Sequence, residues 1–121
     1  MGHYLLMGLV GFVAIQHVAF AVLEGILWRH PLGRRIFGLS KEHAEITATM
    51  ALNQGLYNLF LAAGLLWSLL HPDPAASRAL QVFFLGCVTV AGFVGGLTVK
   101  KLILVVQGVP AGIALVILLL P

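Results

Sequence analysis

The chain has 121 residues, of which 60% are hydrophobic and only 9% charged, and its mean hydropathy is +1.04. A soluble domain carries about 25% charged residues and could not hide this much apolar surface, so the composition excludes that class and predicts an all-α integral membrane protein. Seven Lys and Arg against four acids give a formal charge of +3, but these residues fill short gaps between apolar stretches, which points to membrane topology and away from nucleic acid.

A spanning helix needs roughly 20 mostly apolar residues. The first such stretch covers about residues 4–28. It has no basic leading region and no small-residue cleavage site, so it reads as a retained anchor and not as a signal peptide. A loop over about 29–40 follows, with Pro31, Gly33 and Gly38 as breakers. Ser40 has the place of an N-cap, and Glu42 and Glu45 lie near the positive end of a second helix over about 41–70, apolar from about 46. His71-Pro72-Asp73-Pro74 ends it. The third and fourth spans cover about 79–99 and 102–120 and meet at Lys100-Lys101, a gap short enough to predict an antiparallel hairpin. Pro110 should disrupt the fourth helix and release the carbonyl of Val106.

The expectation is a single four-helix transmembrane bundle over residues 1–121. If the four helices alternate, Arg29, Arg34, Arg35, Lys41, Lys100 and Lys101 fall on one side and Arg78 alone on the other. The positive-inside rule then makes the first and third loops cytoplasmic and places both termini on the non-cytoplasmic side of the inner, or plasma, membrane.

Polar groups inside a bilayer are costly and therefore informative. The first helix carries Gln16, His17 and Glu24; His17 and Glu24 are seven residues apart and share a face, which Trp28 continues. On the second helix Glu45, Thr49, Asn53 and Tyr57 follow at intervals of four, with Gln54 and Asn58 as a second pair beside them. The fourth helix adds Gln107. At about 1.5 Å per residue, Asn53, Gln54 and Gln107 lie about 10 Å from the cytoplasmic surface, Glu24 nearer to it, and His17 and Asn58 near the midplane. The overlap in depth predicts one polar pocket in the cytoplasmic half. His17 and Glu24 would be its acid and base, and Asn53, Gln54, Tyr57, Asn58 and Gln107 would bind a ligand.

Plainer roles exist for each. Buried amides serve as interhelical glue worth about 0.6 kcal/mol each. Glu24 could pair with Arg29 or Arg35, His17 could bond an Asn as a neutral imidazole, and Trp28 and Trp67 suit interface anchors. The spacing of Gly92 and Gly96 permits close helix packing or a homodimer. His3, His17, His30, His43 and His71 have no ligand spacing, and the one cysteine, Cys87, can form neither an internal disulfide nor a cysteine metal site. No nucleotide loop, nucleophile elbow or other cofactor motif is present, so neither a metal nor a cofactor is expected.

Several stretches together resemble the domain-of-unknown-function family numbered 1304, of small bacterial membrane proteins. They are His17-Val18-Ala19-Phe20 with Glu24, Phe37-Gly38-Leu39-Ser40, Asn53-Gln54-Gly55-Leu56-Tyr57-Asn58, Phe60-Leu61-Ala62-Ala63-Gly64, and Lys101 leading to Val106-Gln107 and Pro110-Ala111. The resemblance implies a four-helix membrane protein and supplies no mechanism. Three functions fit the residues: a bundle that binds, and by acid/base chemistry transforms, a small lipophilic molecule; a proton-coupled transporter; or an accessory subunit of a membrane complex. The second is similar to small multidrug resistance proteins in length and in its first-helix carboxylate, but departs in its long basic first loop and more polar second helix.

Overall fold

The computed structural model describes Met1–Pro121 and is all helical, without strands. The helices are α1 (Gly2–Gly25), α2 (Pro31–Phe37), α3 (Lys41–Leu70), α4 (Pro74–Thr98) and α5 (Lys101–Leu119). Three of them, α1, α4 and α5, are long and apolar enough to cross a membrane. The sequence predicted four such helices. At 30 residues α3 is the longest of all, but Asn53, Gln54 and Asn58 dilute its apolar character.

The segment 29–40 is the second departure, because it holds the helix α2 where a loop was expected. Its supposed breakers are its caps. Pro31 stands at the first helical position, where a missing N–H costs nothing, and the His30 Nδ1 accepts from the Leu32 N–H at 3.2 Å. Gly38 closes the helix with φ 66°, the left-handed conformation only glycine adopts freely, and Leu39 N–H returns to the Arg34 carbonyl at 2.8 Å. Gly33 permits a backbone approach, since a Cβ there would lie 1.9 Å from the Leu27 carbonyl oxygen.

The other helix ends follow their side chains. Ser40 Oγ accepts from the His43 N–H at 3.0 Å, the N-cap its position predicted for α3. Asp73 caps α4 through the Ala76 N–H at 3.0 Å, with Pro74 next, so α4 begins five residues before the expected 79. Lys100 is extended, at φ −158°, and reverses the chain between α4 and α5.

Contacts group the residues into two compact units, one of Met1–Ala14 with Ala63–Pro121 and the other of Ile15–Ala62. The first unit is built on the α4–α5 hairpin. A Cβ on Gly92 would lie 2.5 Å from the Gly108 Cα, one on Gly96 2.5 Å from the Leu104 Cβ, and one on Gly112 3.8 Å from the Thr89 Cγ2. As positions fall along α4 they rise along α5, so the pair is antiparallel, and both glycines of the GxxxG spacing face α5 of the same chain. The disruption at Pro110 takes the form of a π turn over Leu104–Gly108, closed by the Val109 N–H on the Leu104 carbonyl. A helix that meets a proline unable to donate commonly absorbs the misfit in such a turn. At the far end Arg78 donates through Nη1 to the Leu118 carbonyl, one of the acceptors that the last turn of α5 leaves open. In the second unit α2 and the adjoining parts of α1 and α3 pack together, as described next.

Gly92→Ala should destabilise the protein by about 1–3 kcal/mol, because a methyl has no room against backbone. Gly86→Ala, whose Cβ meets nothing within 4 Å, should be neutral or slightly stabilising. Thermal unfolding in detergent reads both; equal stability of the two variants would contradict the backbone contact at Gly92.

Candidate functional site

Along α3 the residues Ala44, Ala48, Ala51, Gly55, Asn58 and Ala62 recur at alternating intervals of four and three, which keeps them on one face of a helix. All but Asn58 are small. A Cβ on Gly55 would lie 3.1 Å from the Ala21 carbonyl oxygen and 3.2 Å from the Gly25 nitrogen, so α1 and α3 meet backbone to backbone. Asn58, the one larger polar member of the stripe, donates through Nδ2 to Glu24 Oε2 at 2.8 Å.

Past Gly25 the chain leaves the helix axis. Ile26 and Leu27 both donate to the Val22 carbonyl at 3.0 Å, and His30 N–H bonds the Leu27 carbonyl. Trp28 therefore does not continue the α1 stripe. Its Nε1 donates to Thr47 Oγ1 at 3.0 Å, whose own hydroxyl donates to the His43 carbonyl at 2.7 Å, and its ring packs on Phe37 at 4.8 Å between centroids. A tryptophan tied at both its polar and apolar sides is a fixed wall.

Between this departing segment and α3 opens a cleft of about 280 Å³, lined by Glu24, Gly25, Ile26, Trp28 and Arg29 on one side and Ala48, Thr49 and Leu52 on the other. Its lining joins a carboxyl group, a guanidinium, a hydroxyl and an indole. Arg29 lies 3.5 Å through Nε from Glu45 Oε2, with the two side chains 62% and 54% exposed. An ion pair so open to solvent contributes little and leaves the guanidinium available to another anion.

A family described as a protein of unknown function, DUF1304, matches residues 11–119. The chain belongs to that family. The match takes in Glu24, Asn58, the whole cleft and the α4–α5 glycine contacts of this DUF1304 protein. No curated protein and no solved structure matches the chain.

The other residues singled out from the sequence lie elsewhere in the DUF1304 fold. His17 is fully buried, its ring set edge-on to Phe20 at 5.4 Å. Two turns, about 10 Å, separate it from Glu24 along α1, and it does not line the cleft. Asn53, Gln54 and Tyr57 are exposed on α3 and do not line the cleft. Gln107 sits in the π turn of α5, within the other compact unit. Of the seven, Glu24 and Asn58 are bonded to each other and Glu24 lines the cleft, to which Trp28, Arg29, Thr49 and Leu52 are added as lining. The alternating small residues of α3 were the sequence signal for where α1 packs, and hence for which of the α3 amides faces Glu24.

The Glu24–Asn58 contact should be measurable as a coupling. In a double-mutant cycle of Glu24→Ala and Asn58→Ala, thermal unfolding in detergent should give an interaction of about 1–2 kcal/mol, the range for a hydrogen bond to a carboxylate partly open to solvent. Strict additivity would mean that the bond adds nothing.

Proposed function

We propose that this is a four-span membrane protein that binds a small amphiphile with a zwitterionic head group in the Glu24 cleft, on the cytoplasmic side. The observation that carries the reading is that a carboxyl group and a guanidinium, Glu24 and Arg29, line the same small cleft. An ammonium or similar donor would bond Glu24, which Asn58 holds in place, and an anionic oxygen would bond Arg29. Trp28, Ile26 and Leu52 offer apolar surface for the first carbons of the tail.

Charge supports the fourth span. At about 1.5 Å per residue α3 is some 45 Å long, more than enough for a hydrocarbon core of about 30 Å. With α3 crossing, the basic residues of 29–41 and Lys100-Lys101 share one side; without it they fall on opposite sides. That side is cytoplasmic by the positive-inside rule, and it holds the cleft. Binding, and not proton transfer, is the role assigned to Glu24, since His17 lies two turns away and outside the cleft lining.

Trp28 supplies the readout. In a Trp67→Phe background, dodecylphosphoethanolamine titrated into the protein in lipid nanodiscs should change the Trp28 emission saturably. Glu24→Gln should weaken the apparent affinity about tenfold or more, as expected for a lost bond between charged groups. Dodecyl phosphate, which lacks the ammonium, should bind wild type and Glu24→Gln alike. Identical phosphoethanolamine titrations for wild type and variant would overturn the reading.

A further inference from the structure

Opposite its buried stripe, α3 carries a second one. Ile46, Met50, Asn53, Tyr57 and Phe60 follow at intervals of four, three, four and three, the spacing of a coiled-coil seam. Asn53 is two residues, about 200° of helix, from Ala51 of the buried stripe, so the two seams point in opposite directions. Nothing in the chain covers the outer one: Ile46 is 72% exposed, Met50 70%, Tyr57 57% and Phe60 55%. Tyr57 and Phe60 lean on each other at 6.2 Å between ring centroids.

Ile46, Met50 and Phe60 could face lipid without cost. Asn53 could not, because it is exposed, hydrogen-bonds to nothing in the chain, and lies about 12 Å along the helix past Glu45. Acyl chains offer its amide neither donor nor acceptor.

We infer that the α3 seam is the interface of a parallel homodimer, in which Asn53 of one copy hydrogen-bonds Asn53 of the other. The inference rests on the reading that α3 spans the bilayer and is independent of the ligand proposed for the cleft. Two copies with the same orientation in a membrane are related by an axis along its normal, so each seam residue meets itself at the same depth. Asparagine suits that position because its side chain carries both a donor and an acceptor. No charged residue lies on α3 after Glu45, so no like charges are brought together along the seam. One asparagine within an otherwise apolar seam is also the device by which coiled coils fix register and copy number. The pairing leaves the Gly92–Gly96 face to α5, where the structure already uses it.

Single cysteines test the interface in native membranes, in a Cys87→Ser background. Oxidation should cross-link Met50→Cys, Asn53→Cys and Tyr57→Cys into dimers, and leave Phe93→Cys, an exposed residue of α4 beside Gly92, at background. Before oxidation, Asn53→Cys should be protected from a membrane-impermeant maleimide applied to both sides. Free labelling would overturn the span reading and this inference with it; protection without cross-linking, or cross-linking at Phe93→Cys alone, would overturn the dimer only. In reconstituted vesicles, dimerisation followed by energy transfer between labelled copies should weaken about tenfold in Asn53→Ala and largely recover in Asn53→Gln. Equal dimerisation of wild type and Asn53→Ala would remove the amide pair.

Discussion

The tight approach of α1 to α3 at Gly55 sets the geometry of the second unit. In a bilayer, lipid tails are as apolar as leucine, so helices gain little by hiding hydrophobic surface from one another and associate through tight packing and interhelical hydrogen bonds. Gly55 provides the tight packing, since even a methyl there would press on the Ala21 carbonyl and the Gly25 nitrogen. Only at that separation does the short side chain of Asn58 reach Glu24, one turn further along the same stripe. The cleft beyond Gly25 follows from the same contact: α1 ends there, the chain turns away, and the small side chain of Ala48 leaves the intervening space open.

The α4–α5 hairpin uses the same principle with different parts. Gly92, Gly96 and Gly108 bring backbone against backbone, and the π turn that Pro110 follows contains Gly108 itself. A proline that weakens one helix is thus placed beside a tight contact with a neighbouring helix, a common arrangement for proline in membrane helices.

Much of this was legible in residue types that have one dominant physical role. Ser40 marks a helix start because a short side-chain acceptor suits an N-cap, and Lys100-Lys101 marks a reversal because two ammonium groups avoid the hydrocarbon, whereas Asp73 and Pro74 were read only as the end of α3 and also open α4, five residues before the expected 79. Family membership was legible as well, through runs spread over nearly the whole chain. The segment 29–40 was misread because Pro31 and Gly38 punctuate a chain in the same way whether they end helices or bracket a short one. Only the length of the seven-residue stretch from Pro31 to Phe37, enough for two turns, distinguishes the cases. Of the four spans read from the sequence, α3 is the one whose apolar character falls short, because three amides lower the hydropathy of a helix whose length alone would suffice.

The amides of α3 show why depth alone could not locate a site. Asn53, Gln54 and Asn58 lie within two turns of one another, so an estimate from rise per residue puts them at overlapping depths without telling their directions apart. Direction separates them: Asn58 shares the stripe of Ala51 and Gly55 and meets Glu24, whereas Asn53 points the opposite way. Direction is encoded by the residues between the amides, because a helix in lipid turns its smallest side chains toward its nearest neighbour. Once Ala44, Ala48, Ala51, Gly55 and Ala62 identify that neighbour-facing side, the amides divide into Asn58, which serves the interior of the chain, and Asn53 and Gln54, which stay exposed. A single helix thus lines the cleft with Ala48, Thr49 and Leu52 and leaves the seam from Ile46 to Phe60 uncovered, with Thr49, one turn from Asn53, where the two surfaces adjoin.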